Sequence, residues 1–173
     1  MTTALTLARE LLACFQAELG ALAPPLLPIA PEHVMLRPGA QVTPLLGTAD
    51  DECCRGLGWV RIAEISGVRQ LGDSDNVSCF GQERILTLEL GAVRCAPSSD
   101  VASVPTEEQW DFAATQLDAD QGAMEAAICC AFRGPDVSLA VEEVAVGVYQ
   151  PSGVDGNCIG GTMQVLIRMS ACC

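Results

Sequence analysis

The sequence predicts an α+β fold: a largely antiparallel β-sheet with two main helices packed on one face. Three observations carry that expectation. Apolar residues recur at intervals of three and four near the N-terminus and again from residue 110 onward. Strict alternation runs through residues 84–95 and through two stretches near the C-terminus. Clusters of Gly, Pro and Asp separate these runs. With 173 residues, half of them hydrophobic, the chain reads as one domain over residues 1–173, long enough to bury a core. Aromatics make up only 4%, so that core must come from aliphatic side chains, Cys and Met.

The first helix is expected within residues 1–23. Leu5, Ala8, Leu12, Phe15, Leu19 and Leu22 form its apolar stripe, Thr3 is its N-cap, and Pro24-Pro25 stops it. Residues 24–58 form a Pro-rich irregular arm with room for short strands at 34–37 and 41–46. The sheet and helix core follows over residues 59–173. Residues 58–70 read as a strand with a bend or bulge at Gly67, and the polar stretch 71–83 as a solvated loop. In residues 84–95, Leu86, Leu88, Leu90 and Ala92 share one face.

Thr106 and Gln109 form a capping box, and Glu107 and Glu108 suit the positive end of the helix that starts there. That second helix carries Trp110, Ala113, Ala114, Leu117, Met124, Ala127, Ile128 and Ala131 on its apolar side, with Asp118, Asp120 and Glu125 on the wet side. It is expected to end near Phe132, before Gly134-Pro135. Val144, Val146 and Val148 alternate, as do Met163, Val165, Ile167 and Met169. The stretch between them, PSGVDGNCIGGT, is expected to be the long loop of an antiparallel hairpin.

The net charge is −13, carried by 22 acidic residues against nine scattered arginines and no lysine. Binding nucleic acid or an anionic membrane needs clustered cations, so both are excluded as expectations. No apolar run reaches the length of a membrane span. Arg9-Glu10 interrupts the only N-terminal stretch that could pass for a secretory leader, so none is expected.

Ten cysteines admit three readings: buried small hydrophobes, disulfides in an oxidised particle, or a metal site. The absence of C-x-x-C argues against metal, and reduced thiols are the default without a leader. Cys53, Cys54, Cys79, Cys95, Cys129, Cys130 and Cys158 are the candidates for disulfides or structural packing. PSGVDGNCIGGT lacks the lysine of a phosphate-binding loop and feeds a strand, not a helix. The single histidine, His33, provides no obvious base for a cysteine nucleophile. Adjacent carboxylates such as Glu142-Glu143 point to opposite faces of a strand. No enzyme and no cofactor are expected.

LTLELGAVRCAP, an acidic helix containing CC, and VGVYQPSGVDGNCIGGTMQVLIRM together resemble a neck-protein family of long-tailed phages infecting high-GC actinobacteria. These are the tail terminators, or head-to-tail connectors. Val93-Arg94-Cys95-Ala96-Pro97 matches the family's strand end, and Pro151, Gly153, Gly156, Cys158 and Gly160 match its loop. Val154 stands where the family has a second proline, and Asn157 where it has a second glycine. The resemblance spans about residues 55–171 and implies no catalytic residue.

It implies a tail-terminator-like fold and a ring, six-fold in the family, that caps the tail tube and joins it to the head. A head-closure (stopper) or other connector ring is the alternative. Implied partners are copies of the chain, the tail-tube protein and the head connector. DNA passes through the lumen without specific binding, and the location is the virion neck, reached from the host cytoplasm during assembly. Pro151, Gly153, Asp155, Gly156 and Gly160 are the expected contact loop, and the 24–58 arm and the 97–105 loop are expected to reach neighbouring subunits.

Overall fold

A computed structural model describes residues 3–38, 53–67, 84–97, 104–133, 141–155 and 157–169. Cys79 and the expected strand at 41–46 lie outside these residues.

Helix α1 spans Ala4–Gly20, and the Thr3 hydroxyl accepts a hydrogen bond from the Thr6 amide at its start, as the sequence indicates. The buried stripe is Leu7, Ala8, Leu11, Phe15 and Leu19, which rotates the packed face away from Leu5, itself 41% exposed. The reason is that α1 meets two neighbours at once, the second helix and the sheet. Its buried side is therefore set by both and not by a single contact. A short 3₁₀ helix, Pro31–His33, leads into strand β1, Val34–Arg37. The Gln16 amide donates to the carbonyls of Val34 at 2.8 Å and Pro31 at 3.1 Å, pinning this segment to α1.

A second 3₁₀ turn, Cys53–Arg55, precedes β2, Leu57–Gly67. Strand β3 is Arg84–Cys95, helix α2 is Glu107–Phe132, and β4, β5 and β6 are Val141–Val146, Gln150–Asp155 and Cys158–Met169. The described strands form one sheet in the order β1-β2-β3-β6-β4, with β5 also pairing with β6. Every pairing is antiparallel except β1 with β2, which is parallel. Helices α1 and α2 pack on each other, α1 against β1 and β2, α2 against β6 and β3. The α+β class with two main helices on a largely antiparallel sheet is therefore as expected.

The core lies between the layers. Leu86, Leu88, Leu90 and Ala92 of β3 and Val165 and Ile167 of β6 are fully buried there with Phe15 and Met124. Alternation puts these residues on one face because successive strand side chains point to opposite sides.

Four local expectations need correction. The bulge in β2 lies between Ile62 and Glu64, not at Gly67, which stays paired with Arg84. The stretch from Pro151 is not a long loop. It forms most of β5, which ends at Asp155, with β6 beginning at Cys158, so two successive short strands share the length of one long partner. Val148 falls between β4 and β5 and is 81% exposed. Asp120, expected on the wet face of α2, is fully buried; an arginine from the sheet reaches it.

Candidate functional site

The C-terminal end of β3 carries the most unusual side-chain environment in the described molecule. Leu86, Leu88, Leu90 and Ala92 point toward the helices, and the same alternation sends Arg94 that way. An arginine cannot lose its charge, so its burial demands a partner. Asp120 of α2 supplies one. Arg94 Nη2 lies 2.6 Å from Asp120 Oδ1, and Arg94 Nε lies 2.7 Å from Asp120 Oδ2, a two-pronged pair with both side chains almost wholly buried. Arg94 Nη1 donates to the Leu27 carbonyl. One guanidinium thus joins strand, helix and the segment after α1.

Burial pushes the Asp120 carboxyl above its ordinary range, and the Arg94 hydrogen bonds and charge pull it part of the way back. The Tyr149 hydroxyl stands over Gly161, where a Cβ would come within 2.1 Å of it. It is buried without a hydrogen-bond partner among the described residues. Its pKa is pushed up to about 12, by burial first and by the Asp120 charge second.

Beside this hub opens a cleft of about 450 Å³. Leu27, Pro28, Ala96, Pro97, Phe112 and Ala113 give it apolar walls, and Gln109 and Gln116 of α2 line it with Arg55 and Arg94. The Cys54–Cys95 disulfide forms part of the wall. It ties the second 3₁₀ turn to the end of β3. Gly56 follows with φ of 76°, and a Cβ there would lie 2.7 Å from Ile29 Cγ1, so the turn fits only with glycine at this point.

The sheet's other face holds a second ion pair. Arg61 Nε and Nη2 each donate to Glu89 at 2.7 Å. Trp59 lies over Gly91, and with Val93, Leu57 and Cys158 it makes a small apolar cluster near the same end.

Of the cysteines singled out in the sequence, Cys54 and Cys95 are joined, and Cys130 is joined to Cys14, which the sequence reading left out. Cys158 is disulfide-bonded as well. Cys129 is an exposed thiol, and Cys53 stands in the 3₁₀ turn beside Cys54. These bonds stand in place of the reduced thiols expected by default, because elements distant in sequence bring the sulfurs together. Among the described residues no three His, Cys, Asp or Glu side chains are grouped to hold a metal.

The expected contact loop divides. Pro151 and Gly153 are exposed on β5, and Asp155 ends that strand. Gly156 lies outside the described residues. Gly160 is not a surface residue: it is buried in β6 opposite Val93, and a Cβ would stand 2.2 Å from the Ala92 carbonyl oxygen. Asp120, Leu27, Phe112 and Cys14 are the site residues that sequence reasoning missed. Only the two acidic positions Asp118 and Asp120 hinted at a buried carboxylate, and helical phase alone could have chosen between them. No described helix is long and apolar enough to cross a membrane. Neither models of known families nor curated proteins match the chain.

Proposed function

We propose that the chain is a structural subunit of a phage neck, a tail terminator whose ring caps the tail tube and joins it to the head connector. One observation carries the reading beyond the resemblance itself. The two motifs that define the resemblance, far apart in the chain, meet as one unit. Cys95 stands directly opposite Cys158 in the β3–β6 register, and the Ala96 amide donates to the Asn157 carbonyl at 2.7 Å. The Val93–Pro97 motif thus belongs with the β5–β6 turn, as expected if the motifs describe a single structural pole and no catalytic centre.

The acidic balance of −13 suits a lumen through which DNA slides without sticking. Exposed Val146, Val148 and Val154 near the β5–β6 hairpin offer apolar surface to a neighbouring subunit.

Mixing the purified protein with tail tubes of the particle that encodes it, followed by electron microscopy, tests the reading. A ring seated on tube ends, with the chain also detected in purified particles, is the expected result. Seating on the head connector instead assigns the chain to head closure. A monomer that binds neither and is missing from particles overturns the proposal.

A further inference from the structure

Two polar residues, Gln116 and Asp120, interrupt the buried face of α2 one turn apart. Asp120 is met by Arg94. Gln116 lines the cleft and is only 6% exposed, yet its side-chain amide makes no hydrogen bond among the described residues. Buried polar groups are nearly always bonded, and one left unmet costs more than a made bond gains. The helix therefore holds a donor and an acceptor at the cleft wall that the fold itself does not use. The other lining groups narrow what can use them. Arg55 is exposed there with no ion-pair partner among the described residues. Arg94 is matched by Asp120, and the Gln109 side chain is taken up in the capping box. No described residue lining the cleft is acidic, although the chain carries 22 acids. Salt screens charge beyond about 8–10 Å, so inside the cleft the Arg55 cation outweighs the distant negative balance. Leu27 and Phe112 stand in the wall as exposed apolar side chains. The Cys54–Cys95 bond and Gly56, buried against Ile29, fix the Arg55 side of the cleft in place before anything enters it.

We propose that the cleft is a docking site for an extended peptide segment of a partner protein, an apolar residue followed by an acidic one. A peptide group offers one N–H and one C=O, the complement of the Gln116 amide, which accepts from the first and donates to the second. The apolar side chain lies against Leu27 and Phe112, and the carboxylate reaches Arg55. The volume of about 450 Å³ falls within the range of about 300–1,000 Å³ usual for such sites. A basic segment would meet Arg55 as a like charge, and a wholly apolar one would leave that cation without a counter-charge.

The test is an NMR titration of the full chain with an acetylated, amidated peptide of sequence Gly-Leu-Asp-Gly. Signals of the Gln116 side-chain amide and of the Ala96 and Phe112 backbone amides should shift together along one binding curve. The peptide with Asn in place of Asp should bind about fivefold more weakly, and Arg55→Gln should abolish that difference. Gln116→Leu should weaken the Asp peptide by about tenfold. The same variant should unfold in urea at the wild-type midpoint or above it, since it removes a buried amide that lacks a partner. Octanoate, an apolar acid without a peptide group, should bind more weakly than the peptide and should not discriminate between Gln116→Leu and the wild type.

Shifts absent or confined to other parts of the molecule overturn the proposal. So does equal binding of the Asp and Asn peptides, or of a peptide with Lys at that position. Octanoate binding as tightly as the peptide would assign the cleft to a small apolar acid and overturn the peptide reading. A Gln116→Leu protein that unfolds at clearly lower urea shows that the amide already has its partner within the fold, and overturns the premise. Should that variant fail to fold, the wild-type and Arg55→Gln titrations with the Asp, Asn and Lys peptides still decide.

Discussion

The Cys14–Cys130 and Cys54–Cys95 disulfides span 116 and 41 residues of sequence. The longer one fastens two helices whose packed faces would hold them together anyway. The shorter one fastens the Cys53–Arg55 turn to the end of β3, at the wall of the cleft. Loop closure makes the longer bridge the stronger brake on global unfolding, by about 0.9 kcal/mol in the chain-entropy picture. Local position sets them apart, since the shorter bridge forms part of the wall of a cleft. The contrast extends to the regions around them. Apolar burial holds the helix-covered core; side-chain clasps hold the pole at the end of β3, namely Arg94–Asp120, Arg94 to the Leu27 carbonyl, and Cys54–Cys95.

The largest expected effect comes from the clasp that connects the two regions. Asp120→Ala leaves a guanidinium buried without its counter-charge and should cost about 3–5 kcal/mol in urea unfolding. A loss below about 1 kcal/mol would mean that Arg94 simply swings to water and that pole and core are hardly coupled. Next are the disulfides themselves. Cys14→Ser with Cys130→Ser should lower global stability by roughly 2–4 kcal/mol, and more than Cys54→Ser with Cys95→Ser. The reverse order would break the contrast drawn above.

Gly91→Ala is expected to cost about 1–3 kcal/mol, because its Cβ would lie 2.1 Å from the Trp59 ring. The Trp59 ring must then shift, and a fluorescence change with the helix content intact by circular dichroism would assign the strain to the pole.

The smallest effect is a pH dependence. The folded Asp120 carboxyl is raised above 3.8 by burial, so its contribution to stability is full below that value and is lost as pH rises through the raised native value. Arg94→Met removes the groups that hold the carboxyl down, which moves this window upward. The variant should lose ground to the wild type as pH rises from mild acid to neutral, by at most about 1.4 kcal/mol per pH unit. A gap between the two that does not change with pH would show that Asp120 reaches solvent when Arg94 is gone.

Much of this fold could be read from the sequence, for reasons visible in particular residues. The bounds of β3 and the Thr106–Gln109 capping box follow from period and hydrogen-bond chemistry that are local in the chain, and both stand as read. The exposed Leu5 and the buried Asp120 could not be read so directly, because each depends on which neighbours a helix meets. Asp120 is polar on a polar-looking face until a strand brings Arg94 under it. The stretch from Pro151 to Thr162 reads as a loop in sequence because its glycines resemble punctuation. Two of them stand in β6 and allow close approach, Gly160 against the Ala92 backbone and Gly161 beneath Tyr149. The cysteine partners were illegible for a simpler reason: 116 and 41 residues separate them, and spacing alone does not choose a pairing.

Native-state hydrogen exchange of the oxidised wild type in increasing urea tests the separation of pole and core most directly. The Ala96 amide donates to the Asn157 carbonyl and so reports on the pole. Leu88 and Leu90, fully buried in β3, report on the core. The prediction is that Ala96 exchanges through a local opening of lower free energy and weak urea dependence, while Leu88 and Leu90 exchange only by global unfolding. A single free energy and a single urea slope for all three amides would contradict it, and would make the clasped pole and the packed core one cooperative unit.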